Sequence, residues 1–297
     1  MTGPEKGFLL LTSHLGDPNR RVLSTAQLRT LSQRVRRQEP DREDRQLREE
    51  DLIAFGYGRE MAKRMVKLLS EEELLYYYLQ KGETAACRVL TWASDDYPRV
   101  LRNRLGEETP GCLWYKGDLS LLTQPKVALV GSRDLLKRNA LFAQEVGKQA
   151  ARQGYVLVSG NAKGADMTAQ CACLEAGGRV ISVVADRLTD KTAHERILYL
   201  SEDDFDSEFS AQRAISRNRV IHALAEKTFV AQCGPQKGGT WDGTVKNLRY
   251  GWSPVYAFRD DSDAFLQLQQ MGAFAIDLQQ LEDFQLLPRQ EAGLFEE

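Results

Sequence analysis

Apolar and polar positions along this chain change period part-way. Up to about Lys81 the apolar residues recur at helical spacing, with no strand alternation or β-branched run. Leu28, Leu31 and Val35 line one predicted helix behind a Ser24 or Thr25 cap, and Leu74, Leu75 and Tyr78 line another over residues 71–80. Between Cys87 and Gln124 the pattern predicts an irregular connector. Beyond it, short near-continuous apolar runs at 127–130, 156–158, 180–184, 229–231 and 255–258 predict strands. The helices predicted between them carry Phe142, Val146 and Ala150, and then Ala165, Ala169, Ala172, Cys173 and Ala176, on their inward faces. A longer polar insertion precedes further helices around 213–224 and 241–248.

Alternating β and α elements with strands apolar on both faces predict an α/β fold: a doubly wound, mainly parallel, extended Rossmann-like sheet preceded by a small all-α domain. The expected divisions are 1–86 for the helical domain, 87–288 for the sheet domain and 289–297 for a short tail. A length of 297 residues suits two domains better than one.

Charge narrows the function. The formal net charge is −2, so any affinity for a polyanion must come from a local patch. Five cysteines, an odd number at no framework spacing, fit a reducing compartment, and the apolar run at 7–12 is too short for a signal or membrane segment. The chain reads as cytoplasmic, with no membrane partner. No metal site is expected, because His14, His194 and His222 are far apart and Cys171 and Cys173 would face different ways on a helix. The dinucleotide and Walker glycine patterns are absent, no serine sits in a nucleophile elbow, and no cofactor is expected.

Four segments would meet at the C-terminal edge of the predicted sheet. Gly131-Ser132-Arg133 offers a sharp turn, a hydroxyl and a guanidinium that can fork onto phosphate. Ser159-Gly160 leads to Lys163 and Gly164 at a helix start, and Asp166 can cap that helix or orient a basic neighbour. Arg217, Asn218 and Arg219 begin or sit within a helix, and Lys237 precedes a Gly238-Gly239-Thr240 turn into another. Each is a weak signal alone; together, at equivalent strand ends, they predict a phosphate site with no catalytic residue. Trp241, Tyr115 and Trp252 can serve as base-stacking faces or as core.

Nearer the start, Gly56-x-Gly58 between two short helices fits either a helix-hairpin-helix, with Arg59, Lys63 and Arg64 flanking a DNA backbone, or a plain αα-corner. Mixed charges over 36–51 predict a solvated linker and helix face.

The order of motifs resembles the DNA-processing protein A (DprA/Smf) family, within a wider Rossmann-like group that also holds LOG-type nucleotide hydrolases. The resemblance covers roughly Tyr97 to Asp283. It runs through Leu113-Trp-Tyr-Lys-Gly-Asp118, Val127-Ala-Leu-Val-Gly-Ser-Arg133, Val158-Ser-Gly-Asn-Ala-Lys-Gly-Ala-Asp166, Leu174-Glu-Ala-Gly-Gly178 and Ser216-Arg-Asn-Arg-Val-Ile221. It implies a single-stranded DNA binder that forms a homodimer, loads a RecA-type recombinase and serves DNA recombination or natural transformation. It also implies that the first three segments above line the phosphate pocket, while the Gly234–Trp241 turn departs from the family's pattern. The alternative is a nucleotide sensor or LOG-like N-glycosidic hydrolase using the same pocket. That chemistry needs an acid where Gly243 stands, beside Asp242.

Overall fold

The computed structural model describes residues 1–38 and 47–288; the tail expected at 289–297 and much of the charged linker lie outside the described residues. The chain divides into two compact units.

The first unit comprises residues 1–97, 107–115 and 201–207. Its helices are α1 (Gly3–Thr12), α2 (Thr25–Gln38), α3 (Glu49–Ala54), α4 (Arg59–Leu69) and α5 (Glu72–Thr84). α1 begins with a capping box in which Thr2 and Glu5 satisfy each other's backbone N–H groups. Ser24 and Gln27 do the same for α2. Leu23, Leu28, Leu31, Val35, Leu52 and Met65 bury one core, as the helical spacing of the sequence requires. The segment expected to be an irregular connector is ordered. It holds an antiparallel pair, β1 (Arg88–Thr91) and β2 (Cys112–Lys116), registered Arg88 to Tyr115 through Thr91 to Cys112. The acidic stretch ahead of Arg217 is anchored in this unit too. Phe205 packs between Tyr78 and Trp114, Asp204 accepts from Ser13 Oγ and the His14 N–H, and Asp206 accepts from Tyr78 and Lys81.

The second unit opens with α6 (Arg99–Leu105) and then alternates. In order it contains β3 (Lys126–Val130), α7 (Lys137–Arg152), β4 (Val156–Ser159), α8 (Ala165–Glu175), β5 (Arg179–Val183), β6 (Ile197–Ser201), α9 (Ala211–Ser216), α10 (Asn218–Leu224), β7 (Lys227–Val230), α11 (Gly239–Tyr250), β8 (Val255–Phe258), α12 (Asp263–Gln270) and β9 (Phe274–Ile276). The seven strands run β6-β5-β4-β3-β7-β8-β9, and the neighbouring pairs are parallel. This is the mainly parallel α/β sheet that the alternation predicts.

β3 is covered on both faces: Val127 and Leu129 join the core of α7 and α8, while Ala128 and Val130 are equally buried on the other side, where α10 packs. Two strands are not visible in the sequence pattern. β6 falls inside the expected polar insertion, and β9 is only three residues long. The helix expected around 213–224 is two helices that meet at Arg217, and Ala176, expected inward, is exposed because α8 ends before it.

Candidate nucleic-acid interface

The chain winds outward from β3 through β4, β5 and β6, then returns to pair β7 on the other side of β3. Crossovers leaving in opposite directions open a crevice at the strands' C-terminal ends, where doubly wound sheets hold ligands. Here it is an open cleft of about 380 Å³. Its walls are the loop after β3, the loop into α11, and the junction of α9 with α10.

Backbone contacts hold the loops together. The Ser132 N–H donates to the Gln232 carbonyl (2.8 Å), and Thr240 Oγ1 donates to the Gly131 carbonyl (3.0 Å). α11 starts behind Gly238, which has no side chain to cap the first N–H groups, so the positive end of that helix opens toward the cleft. The start of α8 is instead closed by protein: the Ala165 N–H donates to the Ser132 carbonyl and the Met167 N–H to the Ala162 carbonyl. Gly164, at φ +83°, permits this, since a Cβ there would lie 2.2 Å from the Arg133 carbonyl oxygen.

At the centre is a buried charge. Arg217, only 7% exposed, caps α10, and its Nη2 lies 3.6 Å from Asp166 Oδ2. Gly160 makes room for the pair, because a Cβ there would sit 2.0 Å from Arg217 Nη2 and 2.3 Å from the carboxylate. Burial pushes the Asp166 carboxyl above its ordinary value, and the Arg217 charge and the Ala162 N–H pull it back. Asp166 therefore orients its basic neighbour. Asn218 ties α10 to α11 by donating to the Gly239 carbonyl (2.8 Å). On α10, His222 is fully buried and accepts at Nδ1 from Asn247 Nδ2 (3.1 Å), because an amide NH₂ can only donate. Burial, with Arg217 near, pushes its pKa down to about 3, so the ring is neutral.

Of the residues expected at the site, Gly131, Ser132, Arg133, Asp166, Arg217, Asn218, Lys237, Gly238, Gly239 and Thr240 line the cleft. Arg133 and Lys237 are exposed there. Ser159, Gly160, Lys163, Gly164 and Arg219 do not line it. Ser159 is fully buried and donates to the Leu129 carbonyl (2.8 Å), Lys163 is exposed, and Arg219 reaches back to the Ser216 carbonyl (2.7 Å).

Sequence reasoning missed an apolar wall. Ala211, Ala214 and Ile215 of α9 line the cleft, Ile215 is 47% exposed, and Phe209, just before α9, is 57% exposed. Apolar residues amid the polar stretch 202–213 were the signal that could have found it. Trp241 and Trp252 are buried and offer no open face for stacking. Among the described residues lining the cleft, Asp166 is the one carboxylate, and it is engaged with Arg217. Among the described residues no group of three or more His, Cys, Asp or Glu could hold a metal, and no helix is long and apolar enough to cross a membrane.

The family model for DNA recombination-mediator protein A matches residues 88–281, which takes in every segment of the cleft. The chain belongs to that family. DNA processing protein DprA of Bacillus subtilis is 30% identical over 200 residues; the match covers 62% of this chain and 66% of that relative, so the chain spans just under two thirds of its length. The structure of family member DNA processing protein A from Streptococcus pneumoniae superposes with a TM-score of 0.70 at 26% identity, covering 86% of this chain and 90% of that one. That of DNA processing protein A from Helicobacter pylori, described for its single-stranded DNA binding mode, shares the fold with a TM-score of 0.55 at 23% identity, covering 66% and 94%.

Proposed function

We propose that this chain binds single-stranded DNA through the switch-point cleft and acts as a recombination mediator rather than as a nucleotide-cleaving enzyme. The carrying observation is the amphipathic construction of that cleft. Arg133, Lys237, Arg217 and the open end of α11 form a cationic wall, and α9 forms an apolar one. Phosphates sit against the first, and sugars or unstacked bases against the second. The cleft's exposed charges, Arg133 and Lys237, recognise phosphate, which carries no sequence information, so affinity follows the backbone rather than the sequence. Binding of single-stranded DNA by the Helicobacter pylori protein supports the same reading for this fold. The family description supports a RecA-type recombinase as partner, and the resemblance to DprA/Smf proteins supports a cytoplasmic homodimer.

The test is fluorescence anisotropy of labelled polythymidine and mixed-sequence strands with wild type and an Arg133→Glu/Lys237→Glu double variant. The wild type is expected to bind both strands alike. The variant is expected to bind at least about tenfold more weakly, with a salt slope reduced by about 1.4, or ~0.7 for each phosphate no longer neutralised. Absence of wild-type binding, or a loss confined to one sequence, overturns the reading.

A further inference from the structure

The first unit carries a groove of about 830 Å³, more than twice the size of the cleft, along α4 and the turn after α1. Its cations are Arg20, Arg21, Lys63, Arg64 and Lys67. Arg20 is structural: it is buried, paired with Glu71 at 2.8 Å, and donates to the Leu10 carbonyl. The other four are different. Among the described residues, none has a carboxylate oxygen within 4.0 Å. Lys63 and Lys67 are exposed and lie one turn apart on the same face, about 6 Å along the axis. Arg64 lies between them and half-buried; its Nη2 rests on Met61 Sδ, and its Nε is buried with no hydrogen-bond partner.

A buried guanidinium N–H without an acceptor is costly to leave unmade and calls for an anion. In the turn ahead of α4 the Gly56 N–H donates to the Ile53 carbonyl and the Tyr57 N–H to that of Leu52, so both are spent closing α3. The side chains of α4 carry the charge instead. Of the groove's apolar residues Leu68 is buried, Met61 half-buried and Leu74 39% exposed, so a single side chain offers open apolar surface to an amphipathic acidic helix. Asp17, Glu60 and Glu71 also line the groove, Glu71 being paired with Arg20, so the four remaining cations outnumber the two remaining carboxylates and leave a net positive seat that suits a row of phosphates.

We propose that this groove is a second seat for the backbone of single-stranded DNA, held by Arg21, Lys63, Arg64 and Lys67 without regard to sequence. The proposal rests on the reading of the chain as a DNA binder, and the experiment separates the two. Anisotropy of a long polythymidine strand is measured at about 50 and 200 mM salt for wild type, Lys63→Ala/Lys67→Ala, and the cleft variant Arg133→Glu/Lys237→Glu. Both lysines are exposed, and matching thermal melts show that the fold is kept.

With two phosphates left unneutralised the salt slope falls by about 1.4, so the wild type should weaken about sevenfold more than the lysine variant across that range. The cleft variant should retain a residual affinity, and a fourth protein that adds Lys63→Ala/Lys67→Ala to it should lose that affinity. If the cleft variant loses binding while the lysine variant matches wild type in affinity and slope, the groove is overturned and the cleft stands. If wild type binds no DNA, both fall. If the lysine variant keeps DNA binding but loses binding to polyglutamate, the groove is a seat for an acidic protein segment and the proposal is wrong.

Discussion

In the cleft the central cation is buried. Arg217 is 7% exposed, sits against a glycine that leaves it room, and faces a carboxylate that burial holds above its ordinary value. In the α4 groove Arg21, Lys63 and Lys67 are exposed and unmatched by any carboxylate among the described residues, and Arg64 alone is partly sunk. One region sets two exposed cations, Arg133 and Lys237, around an enclosed charge and the open end of α11; the other relies mainly on long side chains of one helix. The first construction is rigid, and most changes to it are felt by the fold. The second can gain or lose a charge at little structural cost, since exposed cations contribute little to stability.

Removing the central charge should separate the two regions most strongly. Arg217→Ala leaves the Asp166 carboxylate buried without its partner and is expected to cost about 3–5 kcal/mol in urea unfolding at pH 7. Arg64→Ala should cost about 1 kcal/mol or less, because it breaks no ion pair. The sign of the pH dependence sharpens this. Asp166 has a folded pKa above its unfolded one, so the folded state holds its proton longer and stability falls as pH rises through that interval. Without Arg217 the interval widens. The deficit of Arg217→Ala should therefore shrink as pH is lowered from 7 toward 4, and a deficit that stays constant shows that Asp166 is not the group left uncompensated.

The glycines offer the next contrast. Gly164→Val forces a branched residue to φ +83° with its Cβ 2.2 Å from a backbone oxygen, which should cost about 3 kcal/mol or more. Gly58→Ser in the α3–α4 turn meets nothing within 4 Å at an ordinary φ of −68° and supplies α4 with the cap it lacks. It should change stability by under ~0.5 kcal/mol. Equal costs at the two positions, measured by the same unfolding curves, break the comparison.

What was legible in the sequence follows from the same difference. The central strands β3, β4, β5, β7 and β8 are buried on both faces, so each shows as an unbroken apolar run. β1 and β2 are an antiparallel pair with exposed or half-buried positions among the buried ones, and β6 lies within a polar stretch, so neither setting gives an apolar run that stands out. At the site, Gly131, Arg133 and Gly238–Thr240 could be placed because a glycine turn at a strand end has one geometric meaning. Ser159 carries the same signal, yet it faces inward to Leu129, since periodicity cannot tell which polar group at a strand end is spent on the backbone. The α9 wall left only isolated apolar residues in a polar stretch as its signal, because a six-residue helix is too short to show a periodic pattern.

A pH-dependent effect smaller than those of Arg217→Ala and Gly164→Val lies behind the cleft, at His222. Its folded pKa of about 3 is below the unfolded value near 6.5, so the unfolded chain takes up the proton first as pH falls. The stability that His222 contributes as a neutral ring is therefore complete above about pH 6.5 and is lost as pH falls toward 3. The slope is about 1.4 kcal/mol per pH unit. His222→Asn keeps an acceptor near Nδ1 for Asn247 and cannot titrate. Whatever constant cost it carries, its unfolding free energy measured from pH 6 to pH 5 should decline by about 1.2 kcal/mol less than that of wild type, a little under the full slope because the unfolded ring is still titrating at pH 6. Lys63→Ala/Lys67→Ala should decline in parallel with wild type, because lysine does not change charge in that range. If His222→Asn also ran parallel to wild type, the imidazole would be charging in place, and the cleft would rest on a second buried cation beside Arg217.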